Sequence, residues 1–263
     1  MQRAEPVNLT NIELLSNLQP AELRALEQRC SWRHYRRNEQ ILARESENRD
    51  VFFVVRGTVQ IANFSAAGRE IMLATVAEGG FFGELSAIDD LPRSATVTAS
   101  DKCVIAALSP SAFDELVTGN SDIARQVFKR LARIIRASNE RIMDLNTLGA
   151  APRIYVELLR LAEPDPAVAE LWSIYPMPTQ ADIAARAGTT RETVARVLGQ
   201  LISDEMIKRK GKTLYLEDRE ALEDLVERRR QDQPYEGPER RKGRRSEDWY
   251  KKIAPAPESE SAI

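Results

Sequence analysis

Short apolar segments that alternate with turns fill the chain from about residue 31 to residue 109. Residues 51–55 run into a turn at Arg56-Gly57, and the next apolar segment, 58–62, follows at once. Many short strands at close, regular spacing are typical of an antiparallel sandwich or barrel. This stretch therefore predicts an N-terminal antiparallel β-roll of the double-stranded jelly-roll type, preceded by short helices over 9–29.

A row of mostly apolar residues at alternating spacings of four and three follows Pro110 and continues to about Thr147. This row, the heptad seam, consists of Ala124, Phe128, Leu131, Ile135, Ser138, Ile142 and Leu145. Such a seam is typical of a helix that packs along a second helix. We predict a dimerisation helix over 110–148 and a homodimer formed around Phe128, Leu131, Ile135 and Ile142; the alternative is a helix that packs on its own β-roll. Ser138 is polar, so we expect it to face something other than the partner's apolar side chains.

Residues 180–201 (QADIAARAGTTRETVARVLGQL) have the features of a helix-turn-helix. Ala184 is small where the two helices would cross, Gly188 supports a positive φ at the turn, and Thr190 is suited to cap the second helix. Residues at the start of such a helix reach base edges in the major groove of DNA. The predicted DNA contacts of this helix are Thr190, Arg191, Glu192, Thr193 and Arg196. The alternative is a helical hairpin with a solvated charged face.

The local charge balance supports this interpretation although the whole chain has a net charge of −2. Residues 178–216 contain seven Lys/Arg and four Asp/Glu, a local balance of +3. A basic hairpin at 207–216 is placed like the wing of a winged helix, where Lys208, Lys210 and Lys212 would contact phosphates. The C-terminal half therefore predicts a winged helix-turn-helix that binds double-stranded DNA.

Composition excludes several classes of site. One histidine, His34, cannot supply a multi-histidine metal site or the histidine cluster of a cupin-type enzyme, and nothing points to it as part of a catalytic triad. The two cysteines, Cys30 and Cys103, are expected to be ordinary thiols. No apolar run approaches the roughly 20 residues of a membrane span, and the N-terminus lacks the apolar core of a secretory signal. We expect a cytoplasmic protein that is neither an enzyme nor bound to a membrane, without a metal.

The segment FGELS…PRSAT contains side chains suited to an anionic phosphate and a sugar. Arg93 can bind a phosphate bidentately and Ser94 adds a hydroxyl, while Gly83 lets the main chain approach a ligand closely. Glu84 can accept a hydrogen bond from a ribose hydroxyl. The alternative is a surface turn with an ordinary Arg–Glu pair.

FGELS…PRSAT and TTRETVARVL, in this order and separated by a heptad helix, resemble the cyclic-AMP receptor protein family, the CRP/FNR family of bacterial transcription regulators. The resemblance covers about residues 10–225. It implies an allosteric homodimer, controlled by a cyclic purine nucleotide, that binds a palindromic site with a TGTGA-like half-site and can contact RNA polymerase. Cyclic AMP is the first expectation; cyclic di-GMP, another effector, no effector, or a regulatory module that does not bind DNA are the alternatives.

The resemblance also assigns the expected nucleotide-binding residues, which are Gly83, Glu84, Leu85, Arg93, Ser94, Ala95, Ser138 and Asn139. The family's purine contacts come from a Thr-Ser pair, one residue from each subunit, and this chain has Ser138-Asn139 at the matching positions. The asparagine leaves the identity of the base open. No bound cofactor is expected, because the chain lacks the four cysteines of the family's iron–sulfur branch and has a single histidine for haem.

The predicted fold class is thus α+β, and the predicted domains follow from breaks in the pattern. They are 1–109 (helices and β-roll), 110–148 (dimerisation helix), 149–229 (winged helix-turn-helix) and 230–263 (charged, disordered tail). Gly149 and Pro152 mark the hinge between the halves. The role of the tail and of its ERRKGRR patch, which could add non-specific affinity for DNA, is open.

Overall fold

The computed structural model describes residues 8–166, 168 and 171–231, with side chains as far as residue 229. A short 3-10 helix at Glu13–Leu15 precedes the elements of the N-terminal half. These are α1 (Pro20–Arg29), β1 (Ser31–Tyr35), β2 (Gln40–Leu42), β3 (Val51–Arg56), β4 (Thr58–Phe64), β5 (Glu70–Ala77), β6 (Phe81–Phe82), α2 (Glu84–Asp89), β7 (Thr96–Ala99), β8 (Cys103–Leu108), α3 (Pro110–Gly119) and α4 (Ser121–Thr147). The C-terminal half comprises α5 (Ala150–Leu161), β9 (Glu163–Pro164), β10 (Trp172–Ile174), α6 (Gln180–Ala187), α7 (Arg191–Ser203), β11 (Ile207–Lys210), β12 (Thr213–Leu216) and α8 (Arg219–Gln231).

The β-roll consists of two antiparallel sheets whose strand orders are β1-β8-β3-β6 and β2-β7-β4-β5. All six residues of β8 are buried, since this central strand is covered on both faces. Between the sheets, the rings of Phe52 and Phe82 stack with centroids 5.1 Å apart, and Val59, Val97 and Ile105 complete the core around them. The predicted β-roll is confirmed.

Helices cover the outer face of the β1-β8-β3-β6 sheet. Phe53 of this sheet packs with Leu14 of the 3-10 helix, Phe113 of α3, and Ile123 and Val127 of α4. Each of these side chains is at most 2% exposed. Burial of such large apolar groups stabilises a fold by about 1.5–3 kcal/mol each. The first two turns of α4 are therefore part of the β-roll core.

The segment predicted as a single helix over 110–148 forms two helices, α3 and α4. Asn120 ends α3 in an extended conformation, and its side chain accepts hydrogen bonds from the backbone amides of Asp122 and Ile123. Asparagine competes with the helical backbone in this way and favours an N-cap over a helix interior. Helix α4 has 27 residues and carries the whole heptad seam.

Helix α4 has two different apolar faces. Ile123 and Val127 point into the β-roll, whereas Phe128, Ile135 and Ile142 of the heptad seam are 66%, 60% and 56% exposed. A row of large apolar side chains in water is unfavourable by roughly 25 cal/mol per Å² and is typical of a surface that another molecule covers. Leu131 of the seam is half-buried against the β-roll core, whereas Phe128, Ile135 and Ile142 are uncovered within the single chain.

The C-terminal half has its own core around Ile154, Ile183, Val194, Leu201 and Leu214. Helices α6 and α7 form the helix-turn-helix, with Gly188 at φ +62° between them, and β11 and β12 form the hairpin placed as a wing. The wing belongs to a sheet of order β11-β12-β10-β9. The α+β class, with its β-roll, long helix and helix-turn-helix, is confirmed.

Two predictions concern the ends and the surface of the chain. The tail beyond residue 231, including its basic patch, lies outside the described residues. In the part of the chain that is described, no helix is long and apolar enough to span a membrane.

Candidate functional site

A cavity of about 520 Å³ lies between strand β5, helix α2, the segment that leads into β7, and helix α4. Seven of the eight residues expected to bind a nucleotide line it, namely Gly83, Glu84, Leu85, Arg93, Ser94, Ala95 and Ser138. Asn139 is exposed on α4 and does not line this cavity. Ligand sites commonly occupy 300–1,000 Å³, so the cavity has the size of a small-molecule site.

Gly83 is required by the backbone at the entrance to α2. Its φ is +84°, in the left-handed region, and a Cβ at this position would lie 2.7 Å from Nη1 of Arg93 and 3.0 Å from the carbonyl oxygen of Asp50. Glycine avoids both the conformational cost and the clash. The sequence predicted that the main chain at Gly83 approaches a ligand closely. In the structure this main chain lies close to Arg93, whose guanidinium donates a hydrogen bond to the Gly83 carbonyl.

Arg93 is buried in the cavity wall and only 3% exposed. Its Nη1 donates to the Gly83 carbonyl (2.7 Å), and its Nη2 donates to Asn48 Oδ1 (2.7 Å) and to the Asp50 carbonyl (2.5 Å). Nε is buried and has no hydrogen-bond partner among the described residues. Burial lowers the pKa of the Arg93 guanidinium, while the negative charges of Asp50 and Glu84 act in the opposite direction. The wall thus contains a cation whose hydrogen-bonding capacity is not filled.

Glu84 is also buried, and it is paired with an arginine that sequence reasoning missed. Nε of Arg130 lies 3.2 Å from Glu84 Oε1, and Nη2 of Arg130 donates to the Phe81 carbonyl at 2.5 Å. The guanidinium also lies over the Phe81 ring, 4.4 Å from its centroid. Arg130 therefore neutralises the carboxylate and holds it against α4.

A signal for Arg130 exists in the helix spacing. Arg130, Ile134, Ala137 and Arg141 recur at intervals of four, three and four, and all of them line the cavity. This row shares one face of α4, distinct from the heptad seam. The seam and Ser138 were recognised from the sequence, whereas this second face was overlooked.

The other cavity residues are more accessible. Ser94 is exposed, and its carbonyl accepts a hydrogen bond from Asn63 Nδ2 at 3.1 Å, which positions the loop without using the serine hydroxyl. Leu85 and Ser138 are likewise exposed at the cavity rim, whereas Ala95 is buried. The cavity wall therefore combines the buried charged residues Glu84 and Arg93 with exposed residues at its rim.

A second group of predicted residues lies on α7, far from this cavity in the sequence. The Thr190 side chain accepts a hydrogen bond from the Thr193 amide (3.3 Å), which caps the helix, and the two hydroxyls lie 3.1 Å apart. Arg191, Glu192 and Arg196 are exposed. The pKa of Glu192 is lowered mainly by a hydrogen bond with its own backbone and, to a smaller extent, by one with the Thr190 side chain.

The apolar side of α7 is buried while its polar side is open to solvent. Val194, Val197 and Leu201 are buried in the core of the C-terminal half. In the wing, Lys208, Lys210 and Lys212 are exposed around Gly211, which has φ +61°. Such a helix and hairpin present cations to the surroundings, as proteins that contact nucleic acid do.

Two family models match the chain, one in each half of the fold. Residues 32–120 match the model of the cyclic nucleotide-binding domain, and residues 153–225 match that of the Crp-like helix-turn-helix domain. The first contains most of the cavity and the second contains α7 and the wing.

Relatives and solved structures agree with these matches. The chain is 30% identical over 165 residues to the cAMP-activated global transcriptional regulator CRP of Pasteurella multocida, and the match covers 62% of this chain and 79% of that protein. A solved CRP-family transcriptional regulator from Thermus thermophilus is 26% identical, with a TM-score of 0.60 over 74% of this chain and 96% of that one. The c-di-GMP responsive global regulator CLP of Xanthomonas campestris has the same fold, with a TM-score of 0.61 at 21% identity over 75% and 99% of the two chains. The chain therefore belongs to the CRP/FNR family of transcription regulators, which are DNA-binding proteins with a cyclic nucleotide-binding domain and not enzymes.

Proposed function

We propose that the chain is a homodimeric regulator whose affinity for a specific DNA sequence is controlled by a cyclic purine nucleotide, with cyclic AMP as the first candidate. The observation that carries this proposal is the pairing of a buried cation with a buried carboxylate in one cavity. Arg93 and Glu84 are 3% and 4% exposed, and both line the space of about 520 Å³. Arg93 has a buried Nε without a partner among the described residues, and Glu84 has a carboxylate oxygen that Arg130 does not bind. The wall therefore offers a donor to an anion and an acceptor to a hydroxyl group.

Each part of a cyclic nucleotide has a partner with suitable chemistry in this cavity. The cyclic phosphate would lie at Arg93 and the exposed hydroxyl of Ser94, since guanidinium groups bind phosphates with strong charge-assisted hydrogen bonds. The ribose 2′-hydroxyl would donate to Glu84, whose second carboxylate oxygen is not used by Arg130. The purine would lie against α4, near Ser138.

A homodimer is supported by the exposed heptad seam of α4. More than half of each of the apolar side chains of Phe128, Ile135 and Ile142 is exposed to solvent, which is unfavourable for a row of large apolar groups. Parallel packing of two copies of α4 would bury them. Asn139 does not line the cavity of its own chain, and in a dimer it would be available to the purine in the partner's cavity. The substitution Ile135→Glu is expected to convert a dimer to a monomer in sedimentation velocity, while Arg136→Glu, at the next and likewise exposed position, should leave the dimer intact.

The DNA-binding part of the proposal uses the exposed face of α7. Arg191 and Arg196 can each donate two hydrogen bonds to a guanine, and Glu192 can accept one from a cytosine. We propose a palindromic site with TGTGA-like half-sites about one DNA turn apart, with the wing lysines on phosphates. A DNA-bound dimer of this kind would contact RNA polymerase.

Isothermal titration calorimetry of the full chain with cyclic AMP, cyclic GMP and cyclic di-GMP tests the effector. Cyclic di-GMP is included because it carries two phosphates and two further arginines, Arg130 and Arg141, line the cavity beside Arg93. We expect cyclic AMP to bind and to raise the affinity for a TGTGA-like site. Absence of binding by all three nucleotides would contradict the proposal.

A matched pair of variants tests the assignment of the pocket. Glu84→Gln keeps the shape of the side chain but removes its charge, and should weaken the binding of cyclic AMP about ten-fold or more, since a hydrogen bond to a charged group contributes about 1.5–3 kcal/mol. Glu70→Gln, an exposed change at the start of β5, is the control and should bind like the wild type. Equal affinities in the two variants would show that the ligand lies elsewhere.

A further inference from the structure

The C-terminal half touches the β-roll of the same chain through helix α6 and strand β5. Ala185 of α6 is 7% exposed, and its buried neighbours are Met72 of β5 and Ala62 of β4. The core of the C-terminal half contains Ala184 and Ala187 but not Ala185. Ala185 is therefore buried by the β-roll and not by its own domain.

Polar contacts surround this apolar one. Nη2 of Arg186 lies 2.7 Å from Thr75 Oγ1 on β5, and Nη1 of the same residue lies 3.5 Å from Glu157 Oε1 on α5. Arg186 thus bridges β5 to the helix that follows the hinge. We call this group of residues the β5–α6 contact; it consists of Ala62, Met72, Thr75, Glu157, Ala185 and Arg186.

Arg141 of α4 joins the two sides of the β5–α6 contact. Its Nη1 donates to the Met72 carbonyl, and its Nη2 donates to the carbonyls of Ala185 (3.3 Å) and Arg186 (3.0 Å). The last two carbonyls belong to the C-terminal turn of α6, where the helix dipole favours a cation. A single guanidinium therefore links β-roll, long helix and helix-turn-helix.

Arg141 also lines the cavity that contains Arg93 and Glu84. The three acceptors that it meets in the β5–α6 contact are neutral carbonyl oxygens. Burial lowers the pKa of Arg141, and the negative charge of Glu157 opposes this effect without accepting any of these three hydrogen bonds. Hydrogen bonds from a guanidinium to an anion are roughly twice as strong as those between neutral groups. An anion in the cavity and the carbonyls of α6 would therefore compete for the same donor groups.

We propose that Arg141 couples the cavity to the helix-turn-helix: a bound cyclic nucleotide draws Arg141 away from the α6 carbonyls and releases the β5–α6 contact. This inference rests on the proposed function. With the cavity empty, the contact fixes the orientation of α7 relative to the β-roll; with the cavity occupied, the orientation adjusts to DNA. The nucleotide changes DNA affinity because it favours one of the two arrangements, and DNA must favour nucleotide binding to the same degree.

The test compares full-length Arg141→Met, Ala185→Gln and Arg136→Met with the wild type. Arg141→Met removes the donor, whereas Ala185→Gln separates α6 from Met72 by a larger side chain at a position that does not line the cavity. Arg136→Met is the matched control, the same change at an exposed position of α4. Fluorescence anisotropy gives the ratio of DNA dissociation constants without and with saturating cyclic AMP, and hydrogen exchange follows the amides of 70–77 and 180–187.

We expect both contact variants to bind DNA more tightly than the wild type without nucleotide, so that the ratio falls to within about three-fold of one. Their amides in β5 and α6 should exchange faster, and Arg136→Met should behave like the wild type in both measurements. The inference is overturned if either variant, Arg141→Met or Ala185→Gln, still shows a strong effect of nucleotide on DNA binding. The criterion is a logarithm of the ratio of DNA dissociation constants, without and with cyclic AMP, that is half or more of the wild-type value. A wild type that binds none of cyclic AMP, cyclic GMP and cyclic di-GMP in calorimetry would instead refute the proposed function. Unchanged hydrogen exchange in both variants would refute the β5–α6 contact itself.

Discussion

Replacement of Arg93 by alanine removes a cation from the cavity wall together with three hydrogen bonds that hold the surrounding chain. These bonds join the β6–α2 turn at Gly83 to the segment that leads into β3, at Asn48 and Asp50. Arg93 is therefore expected to stabilise the β-roll as well as to bind a ligand. The variant should lose nucleotide binding and a measurable part of the free energy of unfolding.

The magnitude follows from the three bonds and from two terms that reduce their effect. Each hydrogen bond from a charged donor contributes about 1.5–3 kcal/mol. Asn48 is exposed, so water can replace one of the three bonds, and the burial that lowers the pKa of Arg93 opposes its charge in the folded state. We expect a net loss of about 3 kcal/mol, at the upper end of ordinary single substitutions.

Urea unfolding of the full chain, followed by tryptophan fluorescence, to which Trp32 in β1 contributes, and by circular dichroism, measures this loss. The control is Arg44→Ala, which removes an exposed arginine whose ion pair with Glu45 spans 3.4 Å, and should change the free energy of unfolding by less than about 1 kcal/mol. Arg93→Lys keeps the charge with fewer donors and should fall between the two. If Arg93→Ala unfolds at the same urea concentration as Arg44→Ala, the structural role assigned to the three bonds is wrong.

Three further predictions concern other parts of the chain. Gly188→Ala should destabilise the C-terminal half by about 1–2 kcal/mol in thermal unfolding, because φ is +62° there and a Cβ would lie 3.0 Å from Leu145 Cδ2; an unchanged melting temperature would contradict this. Thr190→Ala should cost about 1 kcal/mol of stability through the lost cap of α7 and weaken DNA binding in an anisotropy titration, whereas the exposed change Gln200→Ala should do neither. Burial raises the pKa of Cys30 to about 11, so about one Cys30 thiol in a thousand is ionised at pH 8. Alkylation of Cys30 by iodoacetamide should therefore be about 100-fold slower than that of a thiol of pKa 9.0, and its rate should rise about ten-fold for each pH unit up to about pH 11. A rate at pH 8 like that of a free thiol would contradict this prediction.

Features that depend on a few neighbouring residues were predictable. Gly188 has the positive φ that the turn requires, and Thr190 caps α7, because glycine and threonine impose these local geometries. The alternation of apolar segments and turns likewise predicted the β-roll. Asn120 shows the limit of such reasoning, since its cap was overlooked within an otherwise helical pattern, and two helices form where one was predicted.

The candidate site was predictable in its residue types but not in its partners. Gly83, Glu84, Arg93 and Ser138 do share one cavity, as the motif and the polar position in the heptad seam indicated. The sequence contained no comparable signal that Arg93 would donate to the main chain of Gly83 and Asp50, 10 and 43 residues away. Hydrogen bonds between distant segments depend on how the sheets pack, and local patterns do not specify them.

Taken by itself, the sequence determined the order of β-roll, long helix and helix-turn-helix, together with the side chains available for phosphate and DNA. Only the tertiary structure decided that Arg130 neutralises Glu84 across 46 residues and that Arg141 joins β5 to α6 while lining the cavity. The physical reason is that a side chain's backbone and neighbouring residues set its local geometry, whereas its charge partner is set by the elements that pack against it.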